Sequence, residues 1–279
     1  MREPMRSLRN LARSSLGSDS DRPLSHTLCE NQRLLNTLAY GWSRRAVERR
    51  KSAERTLEDV LTTVLDVQPG WPPYRVRALQ FRPELEAFVR FVADQQPQTV
   101  LELGLFQGGT LYVWTRGIDS IERLVSVDQP VWNDRTHARR AELYPTFSDT
   151  ASIDIIYGNS HTNRTYEDVV EQFDESVDFL FIDGDHTYDG VKEDFRTYRR
   201  VVGDDGLVAF HDIKRHARNR EEKQARLRQV DDLEERYVTV GDPEWGVSEF
   251  WEEVQSEYDT REFLSHPEQM GAGIGVIEL

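Results

Sequence analysis

Two short stretches of the sequence concentrate side chains that can ligate a metal or carry a proton. FIDGDH at 181–186 supplies Asp183, Asp185 and His186, and FHD at 210–212 supplies His211 and Asp212. Each ends an apolar run of strand length. In an open parallel sheet, ligands bind outside the carboxyl ends of the strands. Both clusters are therefore expected to face one crevice, equipped for acid–base or metal chemistry.

A second constellation lies upstream. VLELGLFQGGT at 100–110 reads as a strand, a glycine-bearing turn and the start of a helix. Gly104 lets the chain turn tightly, and Gly108 and Gly109 open the helix with its amides towards a pocket. Phe106 and Thr110 complete the turn. A pyrophosphate-binding turn would carry GxGxxG here. This one has Glu102 two residues before the first glycine, then a gap of three. A carboxylate at that place suits a ligand with cationic ends, such as the amino-acid portion of S-adenosylmethionine. Asp128 closes the next strand, LVSVD at 124–128. There an acid can accept hydrogen bonds from both hydroxyls of a ribose. GNS at 158–160 follows a third strand and offers Asn159 or Ser160 to an adenine, although turn chemistry accounts for the same residues.

The elements that must hold these residues alternate. Strands are predicted at Thr99–Leu103, Arg123–Asp128, Asp154–Tyr157, Asp178–Asp183 and Gly206–Asp212, with helices between them, one over Gly190–Val202. Near-continuous apolar strands alternating with helices make a parallel sheet covered on both faces. Val247–Tyr258 reads as a helix, and Thr260–Ser265 with Gly273–Leu279 as a terminal hairpin. Upstream, Leu57, Val60, Leu61, Val64 and Leu65 form an apolar helical stripe, ended by QPGWPP at 68–73. Another helix begins near Pro83 with Leu85, Phe88, Val89 and Val92 on one face. The expected organisation is a loosely ordered basic arm at 1–24, a helical extension at 25–96, and an α/β domain at 97–279. Within that domain, 213–245 is a charged insertion that reads as a lid, a binding loop or a disordered stretch.

Charge is split along the chain. Residues 1–56 hold twelve Arg or Lys and six Asp or Glu, a net of +6 against −15 for the whole chain, so the remainder carries −21. An acidic body argues against a nucleic-acid partner, and the arm lacks the aromatic interleaving of a nucleic-acid platform. The arm and the helices after it are expected to pack on the acidic body or on a second copy as a homo-oligomer. Four lysines among 35 basic residues fit either a salt-rich cytoplasm or an arginine-biased coding sequence. Cys29 is the only cysteine, so no intramolecular disulfide or multi-cysteine metal site can form. No apolar run spans a bilayer and no secretory h-region stands at the N-terminus; the expected location is cytoplasmic.

Over residues 80–279 the sequence resembles class I S-adenosylmethionine-dependent methyltransferases, in the group of cephalosporin hydroxylase-like and macrolide sugar O-methyltransferase-like proteins. The segments that carry the resemblance are LELGLFQGGT, VSVD, FIDGDHTYDGVKEDF, GLVAFHDI, WGVSEFWEEV and GIGVIEL. The resemblance implies an α/β Rossmann-like sheet of order 3-2-1-4-5-7-6 with strand seven antiparallel. It also implies S-adenosylmethionine bound by Glu102, Gly104, Phe106, Gly108, Gly109, Thr110, Asp128, Asn159, Ser160 and Asp183, and a small polyhydroxylated or sugar-like acceptor. Some relatives hold a divalent metal at these two strand ends. Carried over, the ligands are Asp183 and Asp212, and hard oxygen ligands favour magnesium, calcium or manganese over zinc. Relatives carry a second acidic residue beside the last ligand, where this chain has His211 and Ile213.

For transfer to a hydroxyl, His186 is the candidate base, since an imidazole pKa of about 6.5 suits the task, with Asp183 beside it in the catalytic pair. Three other functions fit parts of the pattern. His186, His211 and Asp212 supply the two histidines and carboxylate of a non-haem iron oxygenase, although neighbours on a strand point to opposite faces. An NAD-dependent dehydrogenase lacks its GxGxxG. A non-catalytic cofactor-binding module would keep the cofactor turn alone.

Overall fold

Alternation along the strands sets the layers. In β1 (Thr99–Leu103), Val100 packs on one side of the sheet while Leu101 and Leu103 pack on the other. In β2 (Arg123–Asp128), Leu124 opposes Val125 and Val127. In β5 (Val202–His211), Leu207 and Ala209 oppose Val208 and Phe210. Both sets are buried, as the near-continuous apolar runs require. The structure, a computed structural model, describes residues 32–279; Cys29 and the arm at 1–24 lie outside the described residues.

With β3 (Ser152–Tyr157), β4 (Val177–Ile182), β6 (Thr260–Phe263) and β7 (Ile274–Glu278), the sheet runs β3-β2-β1-β4-β5-β7-β6. The first five strands are parallel, and β7 is antiparallel to β5 and β6. This is the expected order, terminal hairpin included. β5 begins four residues earlier than the apolar run, because Val202 pairs with Val177 ahead of a register irregularity.

One face is covered by α1 (Arg33–Ala53), α2 (Leu57–Thr62, continued by a π-turn at Thr63–Val67), α3 (Arg82–Gln95) and α4 (Gly109–Gly117). The predicted stripe of α2 delivers Val60, Leu61 and Val64 to this core, and α3 delivers Leu85, Phe88, Val89 and Val92. Fully burying an aliphatic side chain stabilises by about 1.5–3 kcal/mol before chain entropy is counted, so the extension is built into the core rather than appended to it. The other face carries α6 (Asn163–Val170), α7 (Tyr188–Tyr198) and α9 (Val247–Glu257). Helix α5 (Asp134–Leu143) follows β2.

The charged segment 213–245 carries regular structure. It holds α8 (Arg220–Gln229), none of whose residues is fully buried, and, with Met270 from the β6–β7 connection, a small separate core of Ala217, Leu233, Tyr237 and Val238 on which Leu227 of α8 packs. The bridge Ala217↔Val240 closes the segment on itself, and Val238↔Met270 ties it to the β6–β7 connection. Its heavy charge reflects the solvated face of α8. Among the described residues, no helix is long and apolar enough to cross a membrane.

Candidate functional site

Strand register brings the chemistry-bearing residues to one edge of the sheet. Leu103 pairs with Val127 on one side and Ile182 on the other, and Ile182 pairs with Phe210. The residues that follow are Gly104, Asp128, Asp183 and His211, side by side at the carboxyl ends. Gly104 has φ +97°, and a Cβ there would collide with the Asp183 backbone. The glycine turn and the first strand-end cluster are thus one surface.

The two clusters converge. His186 Nε2 lies 3.4 Å from Asp183 Oδ1 and 3.1 Å from Asp212 Oδ2. His211 Nδ1 lies 3.1 Å from Asp183 Oδ1 and 3.6 Å from Asp212 Oδ1. One donor atom from each of the four residues falls within 4.8 Å of all the others. Asp212 also accepts from the Ala272 amide at 3.1 Å and faces His216 Nε2 at 3.2 Å. Strand alternation would send His211 and Asp212 to opposite faces. That expectation fails because β5 ends at His211 and Asp212 takes a left-handed conformation, φ +61°, which swings its carboxylate back beside the imidazole.

Electrostatics follow from this crowding. Burial alone would raise the pKa of Asp183, but His211 and His186 outweigh it and hold the carboxyl below its usual range. Asp212 is driven lower still, its burial overcome by His211, His186 and His216. Burial alone would lower His186; hydrogen bonds and charge from Asp183 and Asp212 instead raise it to about 10. His186 is therefore not the imidazole of ordinary pKa expected from sequence. With the carboxylates unscreened, it is an imidazolium.

These side chains fit a divalent cation. Ligands on a four-coordinate ion with bonds of about 2.1 Å stand roughly 3.4 Å apart; the contacts of 3.1–3.6 Å are close to that, within a set that spreads to 4.8 Å. Beside the two carboxylates that the resemblance implied, the cluster offers imidazole nitrogen, from His211 and, at its rim, from His186. Mixed nitrogen and oxygen ligands move the preference from magnesium and calcium towards manganese, iron or zinc.

On the cofactor side, Asp128 receives the Gln129 amide at 3.0 Å. Burial raises its pKa to about 6, against the opposing charge of Arg140 and a hydrogen bond from the Phe106 amide. Asp128 therefore stands against the glycine turn. Phe106 is half-exposed at φ +44°. Asn159 Oδ1 accepts the His161 amide in a local turn, and the Ser160 carbonyl accepts the Tyr198 hydroxyl from the end of α7.

Glu102 departs from expectation. It is fully buried and accepts from Trp114 Nε1 at 3.0 Å and Ser126 Oγ at 2.7 Å, with Thr110 as a further hydrogen-bond partner. The carboxylate is spent inside the sheet–helix interface, because it shares a strand face with Val100 and α4. Burial lifts its pKa to about 7. Gly108 and Gly109 also serve packing: a Cβ on Gly108 would strike the Tyr144 ring, and one on Gly109 the backbone of Arg77 and Ala78.

Sequence reasoning missed three residues around the cluster: Gln80, Glu84 and His216. Gln80 Nε2 donates to Asp183 Oδ2 at 2.8 Å, and Glu84 Oε1 lies 3.9 Å from His211 Nε2. No motif marks them; the nearest signal is a glutamate three residues after Phe81 at a helix start, which reads as a capping residue.

Residues 101–213, from the glycine turn to just beyond the second cluster, match the family model described as a methyltransferase domain. The sheet order, with its antiparallel seventh strand, is the order that the sequence resemblance implies. In sequence, the chain is 24% identical over 121 residues to an uncharacterized protein of Acanthamoeba polyphaga mimivirus, over 43% of this chain and 54% of that protein. It thus spans about half the length of the curated relative it matches. In structure it is similar to a protein of Staphylococcus aureus described as a candidate caffeoyl-CoA O-methyltransferase (TM-score 0.50, 18% identity, 84% of this chain and 98% of that one). It is also similar to an O-methyltransferase of Bacillus cereus in complex with S-adenosylhomocysteine (TM-score 0.49, 14% identity, 86% and 99%).

Proposed function

We propose that the protein is an S-adenosylmethionine-dependent O-methyltransferase acting on a hydroxyl of a small polyhydroxylated or sugar-like molecule. The observation that carries this reading is the contact of the Gly104 turn with Asp183: cofactor turn and donor cluster share one crevice. The match of residues 101–213 to a methyltransferase domain supports it, and the acceptor class rests on the resemblance to macrolide sugar O-methyltransferases.

Methyl transfer is an in-line displacement. The acceptor oxygen bonds to the methyl carbon as the carbon–sulfur bond breaks, S-adenosylhomocysteine leaves as a neutral thioether, and the hydroxyl proton goes to a base. Alignment is the main demand on the protein. Asp128 would hold the ribose, and the turn at 104–110 the amino-acid end. Asp183, His211 and Asp212 are the residues to hold a divalent cation, which would supply orientation of the acceptor and a lower hydroxyl pKa. Of the four clustered residues, His186 has the most exposed side chain, at 26%, and its ring stacks on Trp245 at 4.9 Å. With Asp183 and Asp212 engaged by a cation, that ring would lose the partners that hold it protonated, and Nε2 would be the atom placed to take the proton.

Calorimetry tests the cofactor assignment: S-adenosylhomocysteine should bind with a Kd on the order of micromolar, typical of small-molecule sites, and NAD should not bind. Tighter binding of NAD overturns it. The convergence of His186, His211 and Asp212 also keeps one rival in play, a two-histidine, one-carboxylate iron oxygenase. Iron-dependent oxygen consumption without methyl transfer would select that rival.

A further inference from the structure

We propose that Gln80 and Glu84, which precede the matched methyltransferase segment, are positioning residues that complete the strand-end cluster. The inference rests on the site proposed above and assigns work to a part of the chain that no motif marks.

Gln80 is buried and its amide is oriented at both ends. The Leu79 amide donates to Gln80 Oε1 at 3.2 Å, which leaves Nε2 to donate to Asp183 Oδ2 at 2.8 Å. With Oδ2 held, Asp183 presents Oδ1 to both imidazoles. A carboxylate without that tether could rotate either oxygen into the cluster.

Glu84 is fully buried on the first turn of α3. Its Oε2 accepts from the Gly273 amide and Gln269 Nε2, each at 3.2 Å, so it cannot swing away. Its Oε1 accepts the Phe81 amide and is the carboxylate oxygen facing His211 Nε2, at 3.9 Å. That nitrogen is buried and makes no hydrogen bond among the described residues. His211 therefore presents Nδ1 to the cluster and Nε2 to a carboxylate. A ligating histidine is commonly arranged this way, with its second nitrogen on a carboxylate that fixes the ring and its tautomer.

The glycine motif explains how this segment reaches the site. Gly109 lacks the Cβ that would collide with Arg77 and Ala78, Arg77 bridges to Gly108, and the Ala78 amide donates to the Val64 carbonyl at 3.2 Å. Docked there, residues 77–84 run past Asp183 and His211. The second and third glycines of the motif admit the helical extension to the active site.

The test uses the full chain with Gln80→Met, which keeps the volume and removes both the amide's donor and its acceptor, and Glu84→Gln, which keeps an acceptor and removes the charge. Manganese and S-adenosylhomocysteine affinities are measured by calorimetry, and the histidine ring nitrogens by long-range proton–nitrogen correlation. Manganese affinity should fall about 10–100-fold, the usual effect of losing an outer-shell partner, while S-adenosylhomocysteine affinity stays within about threefold. The His211 ring-nitrogen pattern should change in both variants. Wild-type manganese affinity in both variants with an unaltered His211 pattern overturns the proposal, as does equal weakening of both ligands, which marks a general structural role. Wild-type protein that binds neither ligand defeats the proposed function instead. The His211 pattern then still decides whether Gln80 and Glu84 set the ring.

Discussion

Glu102→Gln isolates the cost of a carboxylate sealed inside the fold. Each tenfold change in proton affinity is worth about 1.4 kcal/mol. Burial raises the Glu102 pKa from 4.5 to about 7, so between these values the folded state binds more protons than the unfolded one. Stability contributed by this group is greatest below pH 4.5 and is lost as pH rises through 7. From pH 5 to pH 8.5 the loss amounts to roughly 2.5 kcal/mol by this linkage. Glutamine cannot ionise. Its carbonyl still accepts from Trp114, and its amide can donate to Ser126 once that hydroxyl rotates. Any packing penalty of the substitution does not depend on pH, so it cancels when the difference between variant and wild type is compared at the two pH values. Urea unfolding of both proteins at pH 5 and pH 8.5 should show the variant gaining roughly 2.5 kcal/mol on the wild type. A gain below about 0.5 kcal/mol, or of opposite sign, refutes the linkage argument. Because the carboxylate points inward, S-adenosylhomocysteine affinity should change little; a loss of more than about tenfold, or 1.4 kcal/mol, would return Glu102 to the cofactor pocket.

Three further outcomes are expected. Asp128→Ala should weaken S-adenosylhomocysteine binding by about 1–3 kcal/mol, the range for losing a hydrogen bond to a charged group, and unchanged affinity in calorimetry would place the ribose elsewhere. Gly109→Ala should cost about 1–3 kcal/mol of stability through overpacking against Arg77 and Ala78, visible as a lowered Tm. Deleting residues 1–20 should leave folding intact, whereas deleting 1–66 removes Val60, Leu61 and Val64 from the core and should yield aggregating protein by size-exclusion chromatography; a well-behaved, fully active 67–279 fragment would contradict the packing.

The sheet was legible because its strands are short apolar runs with both faces covered, and strand ends are where polar residues resume. That pattern located Asp128, Asp183 and His211 without any contact information. Three things escaped it. Asp212 lies one residue past the strand, so period-two reasoning did not apply once φ turned positive. Glu102 has a motif position that suggests ligand binding, but which face of β1 it shares with Trp114 and Ser126 depends on how α4 packs. Gln80 and Glu84 are ordinary residues in sequence; their role comes from being carried to Asp183 and His211 by a segment about a hundred residues upstream, and such long-range contacts leave no local spacing to read.

The most direct measurement of the central claim is transfer of label from methyl-labelled S-adenosylmethionine to a panel of sugars, polyols and cell extract. It compares wild type with added manganese, wild type after chelation, and Asp212→Ala. Labelled product should form with the wild type, disappear on chelation, return with manganese more readily than with magnesium, and be nearly absent in Asp212→Ala, while all three samples still bind S-adenosylhomocysteine. Undiminished transfer by Asp212→Ala in the presence of chelator would contradict the account, because the chemistry would then lie outside the strand-end cluster.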